Sequence, residues 1–426
     1  MDIHGISFLL YNAFLIPVTF FSFVYYIVAL RSILSKEENE DFDGGGIDWP
    51  QVTIQIPTFN EPVAIRCAKS CLNFDYPKEK FDIIIGDDST DERVSKAIDD
   101  FAKRNRGKVT VTRRGHNRGF KAGNLNHMLK FSRGKIIVIF DSDFIAPRNF
   151  LKRIVKPFVK DKKVGCVQAE WDFLNENTNY ISKLSSTLLM FYYSLIVPIN
   201  KRLGVPFLFG SGEAVRKDLI LELGGWQEGS LTEDTEFSLR IFKEGYKIVY
   251  LNDVKVKGEV PYTLKGLMSQ QRRWAYGNTR AFLEHSRDIL LGRLSLLQKM
   301  MVAYTTSIGY LSNFFLLLFL ITGIVYFFSQ PSAPIDIGRF ISKTSEIFLM
   351  TSGFLLGGVV ALSKKNKSEI LLSSLVSVLT VGFLVSFSVS VGFFKAILGK
   401  KMVWSAINKQ GNFDFIPQNL MEGIND

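Results

Sequence analysis

The sequence predicts an α/β domain built on a parallel sheet, with transmembrane helices flanking it. Three observations predict this. Short apolar runs alternate with amphipathic stretches from about residue 52 to 140, the pattern of a parallel sheet covered on both faces. Long charge-free runs lie at 6–30, 301–328, 347–363 and 370–394, with ordinary soluble composition between the first two. Acidic clusters stand at the ends of two of the predicted strands, where open α/β sheets bind ligands.

In chain order, the run 6–30 exceeds the ~20 apolar residues that span a bilayer. The first five residues carry no Lys or Arg and no small-x-small site ends the run, so a span is expected here and not a signal peptide. Arg31 and Lys36 follow it, which puts the N-terminus outside and the large domain in the cytosol. Strands are expected at 52–56, ended by Pro57, and at 81–85, ended by Gly86-Asp87-Asp88. Two more follow at 109–112 and at 135–140, the latter ended by Asp141-Ser142-Asp143. Amphipathic stretches at 65–72 and 93–103 supply intervening helices. Residues 180–200, rich in Leu, Phe and Tyr, fit an interfacial helix, or alternatively one packed on the sheet. The run 301–328 leads out of the cytosol, and 347–363 returns to Lys364, Lys365 and Lys367. The run 370–394 is expected to lie at the cytosolic boundary. Crossing would carry Lys395, Lys400, Lys401 and Lys409 outside, and six serines between Ser373 and Ser390 suit packing on protein. The expected division is 1–44 anchor and linker, 45–296 catalytic domain, 297–394 membrane region and 395–426 a cytosolic gating-like segment and tail.

The chain has 426 residues, with 52 Lys and Arg against 41 Asp and Glu, a net charge of +11. That excess suits anionic lipid or phosphorylated substrates, and no nucleic-acid-binding motif accompanies it. The three cysteines, Cys67, Cys71 and Cys166, form neither a disulfide framework nor a zinc site and are expected as buried thiols.

Capping accounts for either acidic cluster taken singly, but two at equivalent ends of one sheet point to a site. Asp141 and Asp143, one residue apart, can direct carboxylates to one point. Hard oxygens without His or Cys nearby suit Mg²⁺ or Mn²⁺, which complete their shells from water and phosphate. A nucleoside diphosphate is the natural ligand. Thr232-Glu233-Asp234 follows Gly224-Gly225-Trp226, and Thr232 suits a helix cap without accounting for two adjacent acids. In Gln270-Gln271-Arg272-Arg273-Trp274, Arg273 offers a fork to phosphate and Trp274 a flat face to a sugar. A basic helix face against the membrane is the plainer reading.

Taken in order, Asp87-Asp88, Asp141-x-Asp143, Thr232-Glu233-Asp234 and Gln270-x-x-Arg273-Trp274 resemble the membrane-embedded family 2 glycosyltransferases, the synthases of cellulose, hyaluronan, chitin and mannan. Pro57-Thr58-Phe59-Asn60-Glu61, Gly119-Phe120-Lys121-Ala122-Gly123-Asn124 and Val167-Gln168-Ala169-Glu170-Trp171 add to it. The resemblance implies a GT-A (Rossmann-like) cytosolic glycosyltransferase domain with flanking transmembrane α-helices, in a multi-pass protein of the cell membrane. It implies that Thr58, Glu61, Asp87, Asp88, Lys121 and Asp141 bind a nucleoside-diphosphate sugar, and that Asp143 with Asp141 holds Mg²⁺ or Mn²⁺. It makes Asp234 the general base, assigns Gln270, Arg273, Trp274 and Glu233 to the diphosphate and acceptor, and puts Gly210, Ser211 and Gly212 in a loop beneath the acceptor. Trp404, followed by Lys409-Gln410-Gly411, resembles a gating segment, though Ala406-Ile407-Asn408 depart from the usual Thr-x-Lys. The expected activity is inverting, processive transfer to a β-linked glycan that is exported across the bilayer, with Tyr304, Tyr310, Asn313 and Tyr326 lining a path. Transfer to a membrane lipid, and a non-catalytic transporter or scaffold, are the rival readings.

Overall fold

A computed structural model describes residues 2–34, 48–330, 336–403 and 409–411. Seven strands form one sheet: β1 (Val52–Thr58), β2 (Phe81–Asp87), β3 (Val109–Thr112), β4 (Ile136–Ile139), β5 (Val164–Phe173), β6 (Glu213–Arg216) and β7 (Lys247–Gly258). Their spatial order is β3-β2-β1-β4-β6-β5-β7. The four strands expected from the sequence, β1 to β4, pair in parallel, and the sheet as a whole is mixed. β6 runs antiparallel to both β4 and β5, while the other pairings are parallel.

Fifteen α-helices are described. Around the sheet they are α2 (Ala64–Leu72), α3 (Glu92–Arg104), α4 (Phe120–Leu129), α5 (Phe150–Lys160), α6 (Tyr180–Phe191), α7 (Val197–Arg202), α8 (Lys217–Glu222), α9 (Glu233–Glu244) and α10 (Leu264–Leu291). Before them stands α1 (Ile3–Leu34), and after them come α11 (Leu296–Thr306), α12 (Leu311–Phe328), α13 (Ile337–Thr351), α14 (Gly353–Lys364) and α15 (Leu371–Ile397).

Side chains alternate across a strand, so the central strands feed a core on each face. Ile54, Ile56, Ile83 and Ile85 pack with Cys67, Cys71, Ile98 and Ile154. Ile84, Ile137 and Ile139 pack with Leu125, Met128, Phe237 and Ile289 on the other face. All three cysteines are buried free thiols. The register sets Thr58 of β1 beside Asp87 of β2, so the acidic clusters share the carboxyl edge.

Three helical segments are long and apolar enough to cross a membrane: Ile3–Leu34, Ile308–Phe328 and Ser368–Ile397. The segment expected to begin at 301 begins at Ile308, because Ser295 and Gln298 form a capping box that starts the separate helix α11. The run 347–363 is not one straight helix. It divides between α13 and α14, which bend by 60° at Ser352, and the pair docks on α1 through Gly353 N–H to Ser22 Oγ (2.8 Å) and Tyr26 Oη–H to the Leu349 carbonyl (2.8 Å). Although α15 has the length to cross, both of its halves lie on helices of the sheet domain. Ser374 Oγ meets Thr187 of α6 at 2.8 Å, Ser388 donates to the Met268 carbonyl of α10 at 2.9 Å, and Gly392 packs on the Arg272 backbone. The expected interfacial segment 180–200 is α6, a π-helical turn at Tyr192–Ile196, then α7.

Two ion pairs tie the end of α14 to β5 and the loop that follows it. Lys365 Nζ lies 2.6 Å from Glu170 Oε1, with side-chain exposures of 16% and 4%, and Lys367 pairs with Glu176. Tyr250 Oη also donates to Glu170 (3.2 Å). Removing one partner of such a buried pair strands the other. Lys365→Met is therefore expected to destabilise the protein by about 3–5 kcal/mol, read as a lowered thermal unfolding midpoint in detergent.

Candidate active site

A cavity of about 180 Å³ opens at the carboxyl edge of the sheet. Thr58, Glu61, Asp88, Lys121, Asp141, Asp143, Gly210, Glu233, Asp234, Gln270, Arg273 and Trp274 all line it. Three expected residues do not. Asp87 turns the opposite way, as adjacent strand residues must. It accepts from Ser89 N–H (3.0 Å), Ser95 Oγ–H (2.7 Å) and Arg113 Nε–H (2.9 Å). Burial raises its carboxyl, but these bonds outweigh burial and hold it below the ordinary carboxylate range. Asp87 thus fixes the strand end. Ser211 and Gly212 lie behind Gly210, where Ser211 Oγ accepts the Asp141 N–H (3.0 Å) and a Cβ on Gly212 would collide with Val256. Trp404, with 406–408, lies outside the described residues.

The remaining groups separate into three parts. At the β2 end, Asp88 forms a two-pronged pair with Arg114, whose Nε–H donates at 3.1 Å. Asn117, Phe120 and Thr58 complete this side.

In the centre, Asp143 Oδ2 accepts the Glu259 N–H (2.9 Å) and Oδ1 lies 3.0 Å from Lys409 Nζ. Gly411 N–H donates to Glu259 (3.0 Å). Glu61 accepts from Ser142 Oγ–H, and burial pushes its carboxyl up to about 7. Among the described residues no group of three or more His, Cys, Asp and Glu is arranged to hold a metal. The two aspartates are a donor set that fits Mg²⁺ or Mn²⁺, which take one or two carboxylates and draw other ligands from phosphate and water. Asp143 Oδ1, already facing a cation, is the oxygen suited to it.

At the third part, Lys121 Nζ lies 2.9 Å from Asp141 Oδ1 and 3.1 Å from Glu233 Oε1, and donates to the Gly210 carbonyl at 2.6 Å. Burial alone would lower its pKa, but Asp141, Glu233 and Glu213 hold it above its ordinary value. Asp234 is pushed up to about 7, first by burial and then by Glu233, with Lys121 opposing. Thr232 stands at the N-cap of α9, yet its side chain makes no cap bond and packs against Gly277 of α10.

Trp171, Leu189, Phe209, Thr232, Asp234 and Trp274 also line a second cavity of about 270 Å³. It continues past Tyr192, Asn278, Tyr304, Tyr310 and Asn313 to Tyr25 and Phe354 among the apolar helices. Tyr326, expected in such a path, instead stacks on His4 (5.1 Å) and Tyr11 (5.7 Å) of α1.

The sequence pattern of the glycosyltransferase-like family 2 matches residues 50–277, and that of cellulose synthase matches 219–373. The chain belongs to the family 2 glycosyltransferases. Among its relatives in this family, a probable glucomannan 4-beta-mannosyltransferase 7 of Oryza sativa subsp. japonica is 30% identical over 275 residues, covering 62% of this chain and 47% of the relative. Glucomannan 4-beta-mannosyltransferase 7 of Arabidopsis thaliana is 29% identical over 321 residues, covering 70% and 58%. The chain thus spans about half the length of these curated relatives. A mannosyltransferase from Pyrobaculum calidifontis, solved in complex with GDP-Man and Mn²⁺, superposes with a TM-score of 0.62 at 21% identity, covering 89% of this chain and 99% of that one. The fold is the mixed α/β sheet of GT-A glycosyltransferases.

Reading motifs from the sequence missed Arg114, Glu213 and Glu259. An acid inside the apolar stretch around Phe207–Val215 was the available signal for Glu213. Gly210 is tightly confined between the charged groups of the site. Its φ is +84°, and a Cβ there would sit 2.9 Å from Lys121 Nζ and 3.3 Å from Asp234 Oδ2. Gly210→Ala is expected to cut transferase turnover at least ~10-fold through displacement of those groups, with circular dichroism unchanged.

Proposed function

We propose that this family 2 glycosyltransferase is inverting and processive, transferring a hexosyl group from a nucleoside-diphosphate sugar to a β-linked glycan whose chain occupies the second cavity. One observation carries the reading: Asp234 lies at the junction of the two cavities. A donor in the first and an acceptor in the second would meet at its carboxylate. Because the relatives are glucomannan mannosyltransferases and the structural neighbour holds GDP-Man and Mn²⁺, GDP-mannose with Mn²⁺ is the first donor and metal to test.

The acceptor hydroxyl attacks the anomeric carbon as its proton passes to Asp234, and the bond to the diphosphate breaks on the opposite face. Arg273 and Lys121 face the charge that develops on the leaving group. Asp141 and Asp143 would hold Mg²⁺ or Mn²⁺, whose chemistry is neutralisation of the diphosphate. Trp274 and Trp171 offer flat faces to the acceptor sugar. With no second carboxylate required as a covalent nucleophile, an α-linked donor yields a β-linked product.

The topology that suits these contacts has α1 entering from outside, the sheet domain in the cytosol and α15 at the inner boundary of the cell membrane. Export of the product would begin in the second cavity, because a glycan needs a protein-lined route through hydrocarbon. Transfer to a lipid is the second reading. It is favoured by the cavity's far end, where Tyr25, Phe191 and Phe354 close together at 4.6–5.6 Å.

Membranes supplied with labelled GDP-mannose or UDP-sugars and Mn²⁺ or Mg²⁺ are expected to form ethanol-insoluble, β-glycanase-sensitive product. Chloroform-soluble label would establish the lipid reading instead. Asp234→Asn is expected to abolish transfer while nucleotide affinity stays within about 3-fold of wild type, since only the proton acceptor is lost; near-normal turnover would remove Asp234 from the role. A base raised to about 7 is protonated and inactive below that pH. The turnover rate is therefore expected to climb about tenfold per pH unit up to about 7, then level off.

A further inference from the structure

Glu213 is a buried acid with no part in the transfer chemistry above. It opens β6 directly behind the Gly210 loop and is 1% exposed. Its Oε2 accepts the Gly210 N–H at 2.9 Å, while the Gly210 carbonyl accepts from Lys121 Nζ at 2.6 Å. The Gly210 peptide is thus gripped at both ends, and its Cα faces Asp234. It is the spacer between the site's cation and its base.

The rest of the loop is equally restrained. Phe209 N–H donates to Gln168 Oε1 (2.8 Å), and the Ser211 carbonyl accepts from Gln168 Nε2 (2.9 Å) and Trp171 Nε1 (2.8 Å). Gly212 N–H donates to the Ile139 carbonyl (2.9 Å). Glu213 is the one acid among these restraints, buried beside Lys121, Asp234 and Glu233. Burial pushes its carboxyl up to about 8, with Lys121 opposing and Asp234 adding to the rise. An uncharged hydrogen-bond acceptor of the same length would hold the Gly210 N–H at less desolvation cost.

We propose that Glu213 is a positioning residue for the transfer reaction: by holding the Gly210 N–H it fixes the peptide that sets Lys121 and Asp234 apart, and so the approach of Asp234 to the acceptor hydroxyl. This rests on the reading of Asp234 as the base. Displacements of an ångström at such a place cost on the order of 100-fold in rate.

Two substitutions separate reach from the carboxyl group, assayed in the intact chain with the nucleotide sugar that wild type turns over. Glu213→Gln keeps the reach to Gly210 and replaces the carboxyl by an amide. Glu213→Asp keeps the carboxyl but falls one methylene short. The expected result is that Glu213→Gln retains most of the wild-type kcat, with its pH profile at the wild-type inflection. Glu213→Asp is expected to lose roughly 10- to 100-fold in kcat, with donor KM and nucleotide affinity within about 3-fold of wild type, since only the reacting geometry moves. Nucleotide binding and cooperative thermal unfolding show that both variants fold. Any other pattern of kcat, including two active variants or two inactive ones, overturns the proposal. Failure of the base assignment is seen separately, as turnover by Asp234→Asn.

Discussion

The ammonium group of Lys121 stands where four carboxylates from three elements converge. Asp141 follows β4, Glu213 opens β6, and Glu233 and Asp234 begin α9. Burying that many acids around one cation is costly unless each is paired or gives up its charge. Asp141 and Glu233 take the direct ion pairs. Asp234 and Glu213 are left with burial as their dominant influence and are pushed up to about 7 and 8. An acid titrating near neutrality beside a fixed cation is what general-base work at physiological pH requires. The Gly210 loop, the N-terminus of α9 and the carboxyl edge of the sheet are all arranged around that one lysine.

The same arrangement joins the sheet domain to the apolar helices. α10 carries Gln270, Arg273 and Trp274 into the first cavity, and its first half packs against α15 through Met268 and the Arg272 backbone. Glu170 of β5 pairs with Lys365 at the end of α14, one residue before Trp171, which lines both cavities. Movement of the helical layer would therefore be felt at the junction where Asp234 lies. Lys409, paired with Asp143, brings the segment after α15 to the same cavity.

Much of this was legible in the sequence, and the exceptions have physical causes. Strands β1 to β4 are apolar runs that stop near acids or a basic turn, although β1 runs one residue past Pro57, its expected end, to Thr58. β6 is four residues behind a glycine loop, and β7 alternates exposed lysines such as Lys255 and Lys257 with buried valines, so neither reads as a buried strand. The acidic clusters announced the site by their position at strand ends. The two-residue period of a strand already implies that Asp87 and Asp88 point apart, and only Asp88 lines the cavity. Pairings across long separations leave no local trace, as for Lys409 with Asp143 or Lys365 with Glu170. Tyr326 shares a helix with the cavity-lining Asn313, but a rise of 1.5 Å per residue carries it about 20 Å further along, to a level where its ring packs on His4 and Tyr11 of α1.

We propose that transfer is a single displacement with one carboxylate base and no covalent sugar–enzyme intermediate. The most direct measurement is the anomeric configuration of the first product, followed by NMR in a single turnover with an α-linked nucleotide sugar. The newly formed linkage is expected to be β from its first appearance. An α linkage would contradict it, because retention requires a second displacement for which this site offers no assigned nucleophile.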